Sequence, residues 1–480
     1  MLAAPPPTQL PGPSFLKSFL PLLGGTLKGR AHKVVTRFMA EEGENFEVRF
    51  PMPWTRWAFI HDPEMVETLL VDVNPPKADQ FCRGIDAVAT GSILTSPWEE
   101  WLVQRRTTSP ALSQKLVGSW TAIFEEAAEP LFQKLEAAAE SQEIIEMDGA
   151  LVEVFLNIIT RITLGKQLQP EQTNALMGGI TDALDEGMRR ILLPPGGKAL
   201  TAILPVGRRY RRARRTMREL VRGCVAERRE RRASSAEGES SSDLLDLLLD
   251  AQAAGVMDEE QVRGQLLTFI LAGHDTTAHT LAWLLYEICE QPDLQSALHE
   301  EAKVALKERS AFPSASSLRE LPLLDRTWRE ALRKHPVAAT GTLRQLVEPC
   351  TLTGVDGKES YALRKGTVVS VVPYSLHRNP RHWEEPVEQF TPDRFLPDAV
   401  ASRHPFAYQA FSGGPRDCIG KGLARAEALS VLGALVRRFE FELAGETAAE
   451  AAANGELADH HMITRKPASG VEVRVKRRAA

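Results

Sequence analysis

The amino-acid sequence predicts a mainly α fold with a minor β region. Apolar residues recur at helical spacing from Pro63 onward, a helical pattern continues from Asp258 to about Gln291, and one strand-like run spans Asn45–Ile60. The long pattern weighs most, because globular helices usually span about 8–20 residues. One helix is therefore expected to cross the molecule.

Taken in order, the chain begins with a Pro-rich segment, residues 1–30, whose apolar run from Phe15 to Leu23 is interrupted by Lys17, Ser18 and Pro21. Spanning a bilayer takes about 20 apolar residues, so no span is expected here or elsewhere, and shallow contact with a membrane surface is the remaining expectation for this segment. Asn45–Ile60 mixes aromatic and β-branched residues around prolines, as a small antiparallel sheet does. Helices are expected over Glu64–Asp72, Trp98–Thr108, Gly118–Ser141 and Asp148–Thr163. Arg190–Gly207 is apolar but cut by prolines and glycines, which predicts a loop with short helical turns and a greasy surface. An arginine-dense helix follows, with twelve arginines from Arg208 to Arg232, and then a Ser-rich stretch, Ser234–Asp243, read as a flexible linker.

Asp258 and Gln261 have the spacing of a capping box, and Pro292 supplies the stop for the long helix. Inside it, Gly273 with Thr276 and Thr277 lowers helix propensity, so a local irregularity is expected there. The last third holds a helix over Leu324–Lys334, short strands, the Pro-rich stretch Asn379–Asp398, a Gly-rich loop and a helix over Ile419–Phe439.

With 480 residues, length alone predicts two or three domains. Hydrophobic residues at 43% and charged residues at 25% are enough to bury a large core and exclude disordered and fibrous classes. A net charge of -5 gives no global argument for nucleic acid as a partner, and none is expected. Five scattered cysteines (Cys82, Cys224, Cys289, Cys350 and Cys418) form neither a disulfide framework nor a zinc ribbon, so each is judged alone.

Cys418 stands apart, in the run FSGGPRDCIG from Phe411 to Gly420. A thiolate ligand needs electropositive company, and the unpaired amides of a helix beginning near Ile419 supply it. Gly413 and Gly414 allow a tight turn, Gly420 allows a flat group to approach, and Arg416 offers a fork for a carboxylate. A lone cysteine is more often a small buried hydrophobe. The whole run, however, fits Phe-x-x-Gly-x-Arg-x-Cys-x-Gly and resembles the signature of the cytochrome P450 superfamily.

Other stretches are similar to that superfamily's elements in its order. Glu330 and Arg333 in REALR share a helix face, and PDRF at Pro392–Phe395 adds Arg394, which implies a buried network under the cysteine loop. AGHDTT resembles the family's oxygen-binding run at Ala272, Gly273, Asp275, Thr276 and Thr277, which implies proton delivery by Thr276 and Asp275. Threonines inside helices also bond back to a carbonyl one turn earlier, a reading compatible with that role. His274 is expected to pack, because no second histidine stands at ligand spacing on its helix. WEEWLVQRR resembles the family's Trp-x-x-x-Arg element, implying that Trp101 and Arg105 contact one haem propionate; Arg344 resembles its other propionate-binding arginine.

The resemblance implies a single cytochrome P450 domain over residues 31–480 with its long helix over haem b, correcting the multidomain expectation from length. Cys418 is then the iron ligand, with Trp101, Arg105, Ala272, Gly273, Arg344, Phe411, Arg416 and Gly420 against the cofactor, and Asp275 and Thr276 catalytic. The activity implied is a haem-thiolate monooxygenase that inserts one atom of O2 into a lipophilic substrate. It draws two electrons from a separate donor, an NADPH reductase or a ferredoxin. The competitors are a haem-thiolate isomerase or hydroperoxide-rearranging enzyme and a non-catalytic haem-binding protein; neither has much use for Asp275 and Thr276. Two readings of Arg208–Arg232 stay open: a solvated helix face, or peripheral contact with anionic lipid at about 1 kcal/mol per cation near the surface. Localisation is left between a membrane surface, of the endoplasmic reticulum or a plastid, and the cytoplasm.

Overall fold

The structure is a computed structural model and describes residues 7–49, 56–192, 205–234, 243–308, 311–314, 316–354, 357–461 and 463–479. Its centre is the helix Glu259–Cys289, called the central helix below, with most of its side chains buried all round. The expected capping box starts it: Gln261 N–H donates to Asp258 Oδ1 at 2.7 Å and Asp258 N–H donates to Gln261 Oε1 at 3.0 Å. Pro292 opens the next helix, Pro292–Leu306, rather than only ending this one.

The irregularity expected at AGHDTT is absent, because the central helix is continuous through it. The threonine hydroxyls are accommodated without a break: Thr276 Oγ1 donates to Ala272 O at 2.8 Å and Thr280 Oγ1 to Thr276 O at 2.7 Å, so they stay within the helix. Gly273 has a packing reason as well. A Cβ there would lie 2.5 Å from Ile159 Cγ1, on the neighbouring helix Met147–Leu164, which crosses the central helix closely at this point.

Among the described residues the β region holds several small sheets, the largest four-stranded in the order Phe46–Arg49, Arg56–Phe59, Val368–Ser370, Arg344–Gln345, and another pairing Cys350–Thr353 with Ser360–Leu363. Phe46 pairs with Phe59 antiparallel, Trp57 with Val368 parallel, and Arg344 with Val369 antiparallel. That last pairing fixes where Arg344 stands. The N-terminal segment is pinned to the β region, since Thr8 N–H donates to Ser360 O at 2.8 Å and Glu47 N–H to Pro11 O at 2.7 Å. Helix Phe15–Leu27 follows, with Leu22 buried and Leu20 61% exposed.

Helix Trp98–Thr108 has the expected bounds. Three others are corrected. The span Gly118–Ser141 is two helices, Gln114–Ser119 and Thr121–Ser141, divided at Trp120. Glu64–Asp72 is a short α-helix, Pro63–Glu67, continued by a π-helix over Thr68–Val73 that ends on Asn74 at φ 38°. The helix expected from Ile419 starts at Lys421, with Gly420 as its cap residue, and ends at Arg438; it is the cysteine helix below.

The loop expected over Arg190–Gly207 is narrower, because helix Pro170–Leu192 enters it and helix Pro205–Ser234 begins inside it. Its middle, 193–204, and the Ser-rich residues 235–242 lie outside the described residues. In helix Pro205–Ser234 the buried positions Tyr210, Ala213, Met217, Val221 and Cys224 recur every three or four residues, which leaves most arginines on the solvent side. Several meet acids of neighbouring helices, such as Arg209 with Asp182 at 2.6 Å and Arg218 with Glu260 at 2.9 Å.

Candidate active site

The cysteine loop is closed by Cys418 N–H donating to Phe411 O at 2.9 Å. Its turn depends on Gly414 at φ 71°, where an added Cβ would meet Leu70 O at 2.3 Å, so both conformation and space require glycine. Cys418 is exposed, whereas Cys224 is buried and Cys82, Cys289 and Cys350 are intermediate. Although the residue is open to solvent, the protein packed around its sulfur raises the thiol pKa, and the Gly420 amide and the Arg105 guanidinium oppose that rise.

Helix Trp98–Thr108 holds this loop. Arg105 donates to Asp417 O and to Asp417 Oδ1, both at 2.8 Å. Arg416 is buried; its Nη1 donates to Ser96 O at 3.2 Å and its guanidinium lies 5.2 Å from the Trp101 ring and 5.5 Å from Trp98. Trp101, Arg105, Phe411, Arg416, Cys418 and Gly420 are thus brought together. Arg105 is spent on Asp417, so in this arrangement its contact is with the loop.

Arg344 approaches from the sheet. It is 2% exposed, and its Nη1 donates to Asn74 Oδ1 at 3.0 Å and to Pro75 O at 3.1 Å. Its Nε and Nη2, like Nε of Arg416, are buried and find no hydrogen-bond partner among the described residues. Burial and the charge of Arg416 push Arg344 down to about 10. Lys77, backbone-bridged to Arg344, is held well below its ordinary value by burial, Arg344 and Arg416. Two buried guanidinium groups thus stand near each other with donors unmet and Lys77 close by, which is costly unless an anion completes them. Sequence reasoning missed Lys77, because only the bridge to Arg344, far along the chain, brings it here.

Below the loop lies the expected network. Glu330 and Arg333 are fully buried, with both carboxylate oxygens 2.7 Å from the guanidinium. Thr391 N–H donates to Glu330 Oε1 at 2.9 Å, Arg394 Nε lies 3.6 Å from the same oxygen, and Arg333 Nη1 donates to His377 O at 3.0 Å. Gln409 N–H then donates to His377 Nε2 at 2.8 Å, two residues before the cysteine loop begins. Nothing in this set faces open space; it supports.

On the central helix, Ala272 is exposed although its helix is largely buried, Gly273 is turned against Ile159, and His274 packs with Nδ1 2.7 Å from Ile270 O. Thr277 Oγ1 donates to Glu427 Oε1 at 2.7 Å, which ties this stretch to the cysteine helix. Burial pushes Glu427 up to about 8, only partly offset by Thr277. Asp275 meets His279 Nε2 at 3.0 Å and accepts from Thr464, while His279 Nδ1 meets Asp148 Oδ1 at 2.6 Å. Burial would raise Asp275, but the bond and charge of His279 hold its carboxyl well below the usual range. Glu427, His279 and Asp148 also escaped sequence reasoning. A carboxylate in the apolar run LARAEALSVLGALV was the one visible sign of Glu427.

A family model described as Cytochrome P450 matches residues 9–468. The chain belongs to the cytochrome P450 family. Its relatives include mouse Cytochrome P450 4V2, 29% identical over 402 residues that cover 80% of this chain and 74% of that protein. Human Cytochrome P450 4V2 is 26% identical over 437 residues, covering 88% and 80%. Protein LUTEIN DEFICIENT 5, chloroplastic, of Arabidopsis thaliana is 26% identical over 404 residues, covering 80% and 65%. As a P450 the chain is a haem-thiolate monooxygenase that binds haem b and works on O2 and a lipophilic substrate with a redox partner. The residues present fit that cofactor: an exposed cysteine at a helix N-terminus, and beside it buried guanidinium donors lacking the anion that two propionates bring. Among the described residues, no helix is long and apolar enough to cross a membrane.

Proposed function

We propose that Cys418 would ligate the haem iron and that Arg344, Arg416 and Lys77 would receive the propionates, with Trp101 packed under Arg416 and Arg105 setting the loop through Asp417. The single observation that carries this is the set of unmet buried donors on Arg344 and Arg416 beside an exposed cysteine. When bound, the haem supplies oxygen activation, with the thiolate donating electron density that favours O–O cleavage. The protein's part is positioning, exclusion of water and proton supply.

Thr276 and Asp275 are the proton-delivering pair in this reading. Thr276 Oγ1 needs only to turn from Ala272 O to present its proton outward, a rotamer change that costs one hydrogen bond, about 1 kcal/mol. Asp275, held ionised by His279, takes up a proton from the solvent side and, once protonated, passes it to the Thr276 hydroxyl. Phe411, Gly420 and Ala272 would line the cofactor's place.

The electron donor is a separate protein, an NADPH reductase or a ferredoxin, and residues 31–480 act as one domain. The chain works at a membrane surface, of endoplasmic reticulum or plastid: Leu20 projects outward and the solvent side of helix Pro205–Ser234 is cationic. Sedimentation with anionic vesicles tests this, and equal binding by a Leu20→Ser, Arg211→Ser, Arg212→Ser variant rejects it. The central test is spectroscopic. Reduced protein under carbon monoxide shows the red-shifted Soret band of thiolate ligation, and Cys418→Ser abolishes it; a band unchanged by that substitution overturns the reading.

A further inference from the structure

The acid of the central helix sits in a chain of charged groups that leads away from the cysteine. Asp275 Oδ1 lies 3.0 Å from His279 Nε2, one turn later on the same helix, and His279 Nδ1 lies 2.6 Å from Asp148 Oδ1 on the helix Met147–Leu164. The imidazole's side chain is 3% exposed and the two carboxylates flanking it are 17% and 10% exposed. Asp148 stands in the first turn of its helix between fully buried Met147 and exposed Gly149, and its side chain keeps 10% exposure, so this end of the chain touches solvent at its carboxylate. Both imidazole nitrogens are thereby committed to carboxylates, which leaves the ring no purely apolar packing role.

We propose that His279 and Asp148 form the solvent entry of the proton path that ends at Asp275 and Thr276, with His279 the positioning residue that charges and orients Asp275. This rests on the reading of Asp275 and Thr276 as the proton-delivering pair.

A proton leaves His279 Nε2 and joins Asp275 Oδ1, breaking N–H and forming O–H, and Asp275 becomes neutral as the imidazole loses its charge. Asp275 passes that proton on through the Thr276 hydroxyl. To reset, water protonates Asp148, the ring turns its bare Nε2 from Asp275 towards that acid, the O–H of Asp148 breaks as Nε2–H forms, and the recharged imidazolium turns back to Asp275. The charges balance at every stage, and no oxidant or reductant takes part. Groups facing the imidazole are Asp275 and His274 on its own helix and Asp148 opposite; Thr464, from the segment before strand Arg465–Pro467, meets Asp275 on its other oxygen. Although burial opposes it, the two carboxylates push His279 up to about 9, so the ring is charged at neutral pH and loses its charge on the alkaline side.

The experiment uses the haem-loaded chain with a reductase, comparing His279→Gln, Asp148→Asn and Asp275→Asn. Haem content and the carbon monoxide spectrum stay as in the parent for Asp148→Asn. The product formed per NADPH oxidised falls about tenfold in His279→Gln and less in Asp148→Asn, and the alkaline limb of its pH profile moves to lower pH in Asp148→Asn. The readout independent of turnover is the NMR titration of the His279 ring, which moves to lower pH when Asp148 is replaced. Where His279→Gln fails to load haem, Asp148→Asn decides alone. If Asp275→Asn uncouples while Asp148→Asn keeps the parent's coupling and pH profile, the entry route is refuted. If Asp275→Asn itself keeps full coupling, the underlying pair is refuted and this route with it.

Discussion

The two sides of the site handle charge in opposite ways. Around Cys418, the guanidinium groups of Arg344 and Arg416 hold donors with no partner among the described residues, and they and burial hold Lys77 well below its ordinary pKa. On the central helix, Asp275 is fully engaged by His279 and Thr464, and Thr276 is bonded back to Ala272. An unmet buried donor marks a place reserved for a group the chain does not itself supply, because leaving it unmet costs about 1–3 kcal/mol. A fully satisfied acid marks a part that works by breaking and remaking its own bonds. In the proposed reading the first side holds the cofactor and the second delivers protons.

The largest effect expected from breaking this contrast is on the holding side. Cys418→Ser eliminates the thiolate-type carbon monoxide spectrum and monooxygenation together, as read by absorption and product assay. Glu330→Ala comes next: it strands Arg333 in a fully buried position, which costs about 3–5 kcal/mol. Chemical denaturation measures this, and a loss under 1 kcal/mol shows that the network does not carry the loop. Gly414→Ala forces a side chain to φ 71° against Leu70 O, expected to cost about 1–3 kcal/mol and to loosen haem before the chain unfolds. Arg344→Leu sharpens the comparison: removing one unmet donor set leaves the fold intact and speeds haem transfer to an acceptor apoprotein by about tenfold, roughly one propionate ion pair.

The smallest change is a slope. Glu427 is pushed up to about 8 by burial, above its unfolded value, so its neutral form is favoured by the fold. Below the unfolded pKa both states are protonated and nothing is lost; as pH rises toward 8 the unfolded carboxylate ionises first and stability falls. Glu427→Gln removes that fall, and melting temperatures across this window check it.

What the sequence made legible was local. Helix Trp98–Thr108, the capping box at Asp258 and the ten-residue run ending at Gly420 each depend on near neighbours in the chain, and the structure has all three. The Glu330–Arg333 pair was legible because three residues along a helix bring side chains together. The break at Trp120 and the π-helix Thr68–Val73 were not legible, since both leave helical periodicity nearly unchanged. Lys77, Glu427 and Asp148 were hidden for another reason. Glu427 meets Thr277 across 150 positions and Asp148 meets His279 across 131, distances at which no periodicity operates. Gly273 was legible as a glycine but not for its packing against Ile159.

The π-helix Thr68–Val73 touches both halves of the cationic site. Its Leu70 carbonyl lies where Gly414 must have no side chain, and the Asn74 that ends it accepts from Arg344. A π turn takes one more residue than an α turn for the same advance. Inserting a single residue between Thr68 and Val73 would exceed what the π turn absorbs and swing Asn74 by about 100° around the helix axis. The cysteine turn and the sheet arginine would then lose their common reference, so this six-residue stretch acts as a length gauge that keeps them in step.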